Sequence, residues 1–533
     1  PYDMSINSPI NNNLSFSIYF RILVLKLHTL LKIKCGDFMS GQIADYKNSY
    51  LSGNLKEDIA FFKDIFKRDV ILRVKEISAR KEVPFDCALV YMDGMTDSEQ
   101  INEAIIRPLL TQNVNNESGS ITDYIGKQIL FARDVKQKEI VADMLEGILY
   151  GEALLLIDGS KKALMMDVKG FRTRGINEPQ EERILQGPRE GFEEAALLNL
   201  AMLRRKLLTP DFCTEMFRVG RRSSTAVFVC YLGTLANEKI LEKLKKKIQK
   251  IDIDGILDTN YIIELIKEKG SPIFKTSGLT ERPDVVAARL LEGRIAIVVD
   301  GTPMVATIPY LFCENFQSDE DYYQNYLLSS AERLLRYFCF FLSISIPAVF
   351  IALSTFHRQL LPTPFVISVM QLRGGVPFTP MTECVVMILV FEILKEAGIR
   401  MSQNLGHALS IVGGLVVGQA AVEARIISSP ILIIVALSGI AGLMLPRLKS
   451  AVFYFRIGFV ALSSVLGLYG YFLGLIFLLF YVFSLNSFGI DYTISLKKAN
   501  IQSLKDTLFR LPWSYMVYRP VFNKNKVRKG NKK

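Results

Sequence analysis

The chain has 533 residues; half are apolar and 22% are charged, a balance that excludes a disordered chain and leaves room for roughly two to four domains. The net charge of +11 is concentrated between Lys497 and Lys533, where eleven Lys/Arg face a single acid, Asp506. The excess is therefore a basic tail beside an apolar region, which argues against nucleic acid and for contact with anionic lipid headgroups. Seven scattered cysteines (Cys35, Cys87, Cys213, Cys230, Cys313, Cys339, Cys384) form no CxxC pair. Neither a zinc site nor a disulfide framework fits them, and a reducing compartment does, so the large soluble region is read as cytosolic.

Residues 1–38 are read as a doubtful N-terminal extension. The chain begins with Pro, and Leu14–Leu31 is apolar but interrupted by Arg21, Lys26 and His28, with no clear small-residue cleavage site after it. Met39 opens a more ordinary sequence and is read as lying near the true start; the competing reading is an amphipathic helix lying on a membrane.

Residues 40–333 read as an α/β mixture with a faint internal repeat. "CALVYMDGMTDSEQINEAIIRPLL" and "TAVFVCYLGTLANEKILEKLKKKI" each read as strand, glycine (Gly94, Gly233), then helix. Each half closes with a helix ending near Glu-Gly, a strand, an Asp-Gly turn (Asp158, Asp300) and a returning strand. The expectation is two related subdomains, 54–175 and 206–318, joined over 176–205 by a Pro/Gly-containing linker that becomes helical from about Phe192. A helix near 238–251 places Ile240, Leu241, Leu244, Ile248 and Ile251 on one face. Its lysines read as a solvated face with Glu242–Lys246 support rather than a ligand patch.

Residues 334–490 read as a transmembrane helical domain, and 491–533 as a basic cytosolic tail. Five apolar runs are present: Tyr337–Thr355, Cys384–Leu394 with Glu392, Ala408–Val422, Ile426–Leu445 and Ile457–Ile490. A span needs about 20 residues, so the last run is either one long tilted helix or two helices turning near Gly467–Gly474. With both flanks cytosolic the number of crossings is even, and four is the expected number. The segment 361–380, "LPTPFVISVMQLRGGVPFTP", has four prolines and a Gly pair and reads as a re-entrant or interfacial element.

No catalytic constellation is found: there is no P-loop, GxSxG, HExxH or dinucleotide fingerprint, and His28, His357 and His407 lack triad or metal partners. No enzyme, cofactor or metal is expected. The informative polar residues stand among the apolar runs. Glu392 and Glu396 share a helical face, Glu383 faces elsewhere, and Gln419 and Glu423 are four apart, with Lys395 and Arg425 as candidate partners. Glu392, Gln419 and Glu423 are the candidate pore or polar membrane residues; interhelical salt bridges are the competing reading. Gly414-x-x-x-Gly418 and Gly470-x-x-x-Gly474 are candidate helix-packing motifs.

Longer blocks are more specific than these motifs: "GPREGFEE" (187–194), "GRRSSTAVFVCYL" (220–232), "TERPDVVAARLLEGRIAIVVDGTPMVATIP" (280–309), "DYYQ" (321–324), "RLLRYFCFFLSISIPAVFIALSTFHRQLLPTP" (333–364) and "FEILKEAGIRMSQNLGHALSIVGGLVVGQAAVEARIISSP" (391–430). Together they resemble the A-subunit family of spore germinant receptors, the GerA family, over roughly residues 55–490. The family often has an acid after the Arg of its "R-x-G-V-P-F-P" segment; here Arg373-Gly374-Gly375-Val376-Pro377-Phe378-Thr379 lacks it, which implies a looser loop.

The resemblance implies a multi-pass protein of the spore inner membrane with a cytosolic N-terminal region and tail. It implies partnership with a permease-like B subunit and a lipoprotein C subunit, and a homo-oligomer, a pentamer, forming a nutrient-gated cation channel that initiates germination. Three alternatives remain: a paralogous accessory ion channel encoded with the dipicolinic-acid channel, a secondary transporter, and a structural scaffold.

Overall fold

The computed structural model describes residues 43, 45–79, 85–112, 121–170, 178–179, 182, 184–267, 272–400, 416–493, 506–516 and 519. Residues 1–38, with His28 and Cys35, as well as His407, Gly414 and most of the tail, lie outside these. Two compact units are present, one holding residues up to 172 with 204–213, the other 173–203 with 214–533.

The first unit opens with α1 (Leu55–Ile65). Its free N-terminal donors are taken by Asn54, which accepts the Lys56 N–H at 3.2 Å, and by Asp158, which accepts the Leu55 N–H at 3.1 Å. β1 (Leu72–Ala79) pairs antiparallel with β2 (Phe85–Met92), from Leu72 opposite Met92 to Ala79 opposite Phe85. Helical stretches α2 (98–111) and α3 (121–129), each partly π-wound, precede β3 (Val135–Lys138), α4 (Val141–Leu149), β4 (Ala153–Ile157) and β5 (Ala163–Met166). The sheet order is β1-β2-β4-β5-β3, antiparallel throughout. Cys87, Leu89, Leu155, Ile157, Leu164 and Met166 pack against Ile101, Ile105, Leu109, Ile125 and Ile129. Every residue of β4 is buried, so it reads as a continuous apolar run instead of an alternating one.

In the second unit, α5 (Ala196–Lys206) begins four residues after the Phe192 start expected for the linker helix; its last residues belong to the first unit. β6 (Phe212–Val219), β7 (Thr225–Leu232), α6 (Glu238–Gln249), α7 (Thr259–Ile266), β8 (Gly278–Thr280), α8 (Pro283–Leu291), β9 (Ile295–Val299) and β10 (Val305–Ile308) follow. Their sheet order, β6-β7-β9-β10-β8, repeats that of the first sheet position by position. The Asp-Gly turns repeat in detail as well. Asp300 accepts the Ala196 N–H at 3.0 Å, as Asp158 accepts that of Leu55. Gly301 donates to the Glu194 carbonyl at 2.8 Å, as Gly159 does to Gly53 at 2.9 Å, and both glycines have positive φ. The recurring dipeptide thus joins two strands and caps the helix that opens its own repeat. On α6, Ile240, Leu241, Leu244 and Ile248 are buried as the spacing predicts. Among the described residues Glu242 and Lys246 form no ion pair; Lys245 pairs with Glu215 at 2.8 Å instead.

The apolar region forms α9 (Tyr326–Thr355), α10 (Thr363–Leu372), α11 (Pro380–Arg400), α12 (416–423), α13 (Ser429–Leu443), α14 (Lys449–Leu466) and α15 (Leu468–Ser484). α9 packs against α13, α14 and α15, and α11 against α13 and α14. Among the described residues, two helical stretches, Tyr326–Thr355 and Pro446–Leu466, are long and apolar enough to cross a membrane; α10, α13 and α15 are shorter apolar helices. The last apolar run is two helices, broken at Gly467 with φ +61°. A Cβ there would stand 2.9 Å from His357 Cε1. Gly467→Ala is expected to lower stability by about 1–3 kcal/mol in thermal unfolding of the detergent-solubilised chain. Gly458→Ala, within α14 and with open space around it, is the control and should lose nothing.

The chain leaving α15 forms a small hairpin, β11 (Asn486–Ser487) and β12 (Ile490–Asp491). Ser487 Oγ accepts the Tyr310 N–H at 3.1 Å and donates to the Thr276 carbonyl at 2.7 Å. The Tyr492 hydroxyl donates to Lys275 O at 2.7 Å and accepts from Asn315 Nδ2 at 2.9 Å. The end of α15 is therefore stitched to the same α/β subdomain from which α9 departs, so the helical region starts and finishes at one end.

Candidate functional site

Two polar centres stand out, one inside the helical region and one where α9 leaves the second α/β subdomain. The first is organised by Pro347, which lies inside α9. Proline has no N–H, so the carbonyl four residues back, Ser343 O, loses its helical donor. It accepts instead from Arg456 Nε of α14 at 3.1 Å and from Ser438 Oγ of α13 at 2.7 Å. Arg456 Nη2 also donates to the Ser438 carbonyl at 3.1 Å, and Gly442 leaves room for it, since a Cβ there would stand 2.9 Å from Nη2. Among the described residues Arg456 Nη1 has no hydrogen-bond partner, and it faces Glu392 Oε1 of α11 at 3.7 Å. The guanidinium side chain is 2% exposed and Glu392 21%; Glu392 also pairs with Lys395 at 3.3 Å. A buried cation is costly unless paired. Four helices converge here on one fixed charge.

Glu392 is thus a member of a charge pair. Gln419 and Glu423 are exposed on α12 and bond to each other at 2.8 Å. Glu383, which sequence spacing set apart from Glu392, is buried: it pairs with Arg373 at 2.9 Å and accepts from the N–H and hydroxyl of Ser428 at 2.9 and 2.7 Å. Arg373 therefore has a carboxylate partner ten residues on, and the loop expected to be loose is tied to the start of α13. Gly470 and Gly474 seat α15 on α14: a Cβ at Gly470 would overlap the Leu462 carbonyl, and one at Gly474 would stand 3.3 Å from Leu462 Cδ1. At Gly418 a Cβ would meet Leu432 at 3.6 Å, an ordinary contact, so that position has no need of glycine within the chain.

The second centre is larger. Asp321, fully buried, pairs with Arg333 at 2.9 Å and with Arg336, both on α9. Arg336 also donates to the Phe316 carbonyl, and Arg333 pairs with Asp506 of the tail at 3.2 Å. Glu314 pairs with Arg294 at 2.6 Å and with Arg289 and accepts the Leu311 N–H at 2.6 Å. Burial alone would push the Glu314 carboxyl up, but the Arg294 and Arg289 guanidiniums hold it below the usual range. Arg447, just before α14, bridges Asp319 at 3.1 Å and Glu182 at 3.5 Å. Burial and the nearby Asp319 push the Glu182 carboxyl up. The 187–194 block is anchored here too: Phe192 N–H donates to Glu281 O at 2.7 Å, and Pro188 O accepts from Arg282 at 2.9 Å.

A lowered folded-state value means that the folded chain binds the Glu314 proton more weakly than the unfolded chain. Its stabilisation is complete above the ordinary glutamate range and is lost as pH falls through the lowered value. Glu314→Gln should cost about 3 kcal/mol at neutral pH and flatten the acid limb of a plot of melting temperature against pH.

Arg456 and the Asp321 and Glu314 clusters went unseen in the sequence. An apolar run counted from Ile457 begins one residue too late to include Arg456. A lone Arg between aromatic and branched residues, together with a proline inside another apolar run, was the available signal.

A sequence model described as "Bacillus/Clostridium GerA spore germination protein" matches residues 55–522. Spore germination protein KA of Bacillus subtilis (strain 168) is 39% identical over 466 residues, 87% of this chain and 85% of its own. Spore germination protein GerLA of Bacillus cereus is 33% identical over 89% of this chain and 97% of its own. The crystal structure of the N-terminal domain of the A subunit of the Bacillus megaterium spore germinant receptor GerK3 is 31% identical, covers 50% of this chain and 98% of its own, and superposes with a TM-score of 0.40. The chain belongs to the GerA family of spore germination proteins.

Proposed function

We propose that this chain is the A subunit of a nutrient germinant receptor in the spore inner membrane. In this reading several copies, five in a ring, form a nutrient-gated cation channel together with a permease-like B subunit and a lipoprotein C subunit. Family membership supports the receptor assignment. The observation that supports the channel reading is the exposed Gln419–Glu423 pair on α12, polar side chains kept beside apolar helices, whereas Glu392 is held in the interhelical ion pair with Arg456. Entry and exit of the helical region at one end support an even number of crossings, with the α/β subdomains and tail on the cytosolic side.

Nutrient binding in a partner opens the pore only if the nutrient-bound partner has higher affinity for the open state than for the closed one. Glu392, Gln419 and Glu423 line or flank the path in this proposal. Glu392→Gln and Glu423→Gln are expected to reduce cation flux through the reconstituted complex severalfold at unchanged abundance. Gln at 392 keeps an oxygen facing Arg456, which is why it is preferred to a shorter residue. Unchanged flux in both variants removes these residues from the path. A detergent-corrected mass corresponding to one copy, alone or with one partner, removes the ring.

A further inference from the structure

Residues 506–516 fold back on the start of α9. The Arg510 N–H donates to Ser330 Oγ at 3.1 Å, and Ser330 Oγ donates to the Arg510 carbonyl at 3.0 Å. Asp506 accepts from Arg333 Nη1 at 3.2 Å and from the Tyr322 hydroxyl at 3.1 Å. A little further on, Arg519 Nε donates to the Leu291 carbonyl at 2.9 Å. These bonds turn Thr507, Arg510 and Met516 inward and leave Phe509, Trp513 and Tyr515 with their rings outward; Trp513 is 50% exposed. Trp513 leans on Tyr322, with ring centres 5.9 Å apart, and under the Arg510 guanidinium at 5.6 Å. The adjoining first turn of α9 exposes Leu327 and Leu328.

Residues 506–516 turn aromatic rings outward and no exposed cation: Asp506 is paired with Arg333, and the one basic residue of the segment, Arg510, is buried. The sequence on either side is basic, with Lys497, Lys498 and Lys505 before it and seven Lys/Arg from Arg519 to Lys533 after it, and no acid among them. Aromatic rings with a polar edge settle at the headgroup level of a bilayer, and clustered Lys/Arg are drawn to an anionic leaflet. A water-filled setting would leave the three rings and two leucines solvated beside a bundle of apolar helices.

We infer that residues 506–516 are an interfacial strap that beds Phe509, Trp513 and Tyr515 among the headgroups of an anionic leaflet and sets the depth at which α9 enters the bilayer. The inference rests on the reading that α9 spans a membrane. It assigns the strap's outer face to lipid, not to a second copy or a partner subunit.

Trp513 is the only tryptophan of the chain, so its emission reports this place alone. The full-length chain is reconstituted into vesicles of phosphatidylcholine, or of equal parts phosphatidylcholine and phosphatidylglycerol. In each, bromine is carried either near the headgroup end of the acyl chains or near their tips. The expected result is that shallow bromine removes about half of the emission and deep bromine far less. Quenching should be stronger in the anionic vesicles, and that difference should fade at high salt. Emission untouched by either bromine but quenched by aqueous iodide places the strap in water and overturns the inference. Emission untouched by bromine and iodide alike means protein covers it, another copy or a partner, and overturns it equally. Alkaline carbonate extraction separates the two readings. A chain washed off the vesicles refutes spanning by α9 and the strap with it; a retained chain with unquenched Trp513 refutes the strap only.

Discussion

Glu392→Leu should destabilise the helical region by about 3 kcal/mol, the low end for breaking a buried charge pair, because Arg456 keeps its two carbonyl acceptors. The loss comes from leaving the guanidinium, almost fully buried, with no carboxylate in reach among the described residues. Arg456→Met is expected to cost less, about 1 kcal/mol, since the carboxylate it abandons is partly exposed and still has Lys395 at 3.3 Å. The double variant should return to within about 1 kcal/mol of the native chain, because two apolar side chains then replace a pair that had to be desolvated. Unfolding of the four proteins in one mild detergent closes the cycle. If the double variant loses the sum of the two single losses, Arg456 and Glu392 are independent residues and the centre is not a pair.

Asp321→Ala should be costlier still, about 3–5 kcal/mol, since it removes the carboxylate between two guanidiniums where α9 leaves the α/β subdomain. Among the described residues Arg333 then has Asp506 as its remaining carboxylate, with a side chain nearly one-third exposed. Asp506→Asn, by contrast, should cost about 1 kcal/mol, because a partly exposed pair is screened by water and the Asp506 backbone carbonyl still accepts from Arg333 Nη1 at 2.7 Å. Equal losses in the two variants would mean that Asp321 is not the hub of the junction. This junction and the Glu314 cluster hold the start of α9 to the second subdomain.

Local signals carried much of the architecture. The two Asp-Gly turns, 142 positions apart in an otherwise weak repeat, marked hairpins correctly, because glycine takes the positive φ both turns use without the cost a Cβ would bring. The amphipathic face of α6 followed from 3.6-residue spacing. The last apolar run left two outcomes open, and Gly467 decided it, since its backbone is one that other residues avoid. Sequence also marked Glu392 as unusual among apolar neighbours, but its partner Arg456 lies 64 positions away on another helix, and no periodicity links them.

By itself, then, the sequence determined the alternation of strands and helices, the duplicated order, the apolar runs, the basic tail and the family, because each is written in neighbouring residues or in long ordered blocks. Only the tertiary structure decided which charges meet. Pro347 exposes the Ser343 carbonyl to Arg456, Glu383 turns inward to Arg373 and Ser428, and Asp506 turns back to Arg333. The reason is physical: a buried charge must find its counter-charge in space, and helices and hairpins bring together residues that the chain keeps far apart.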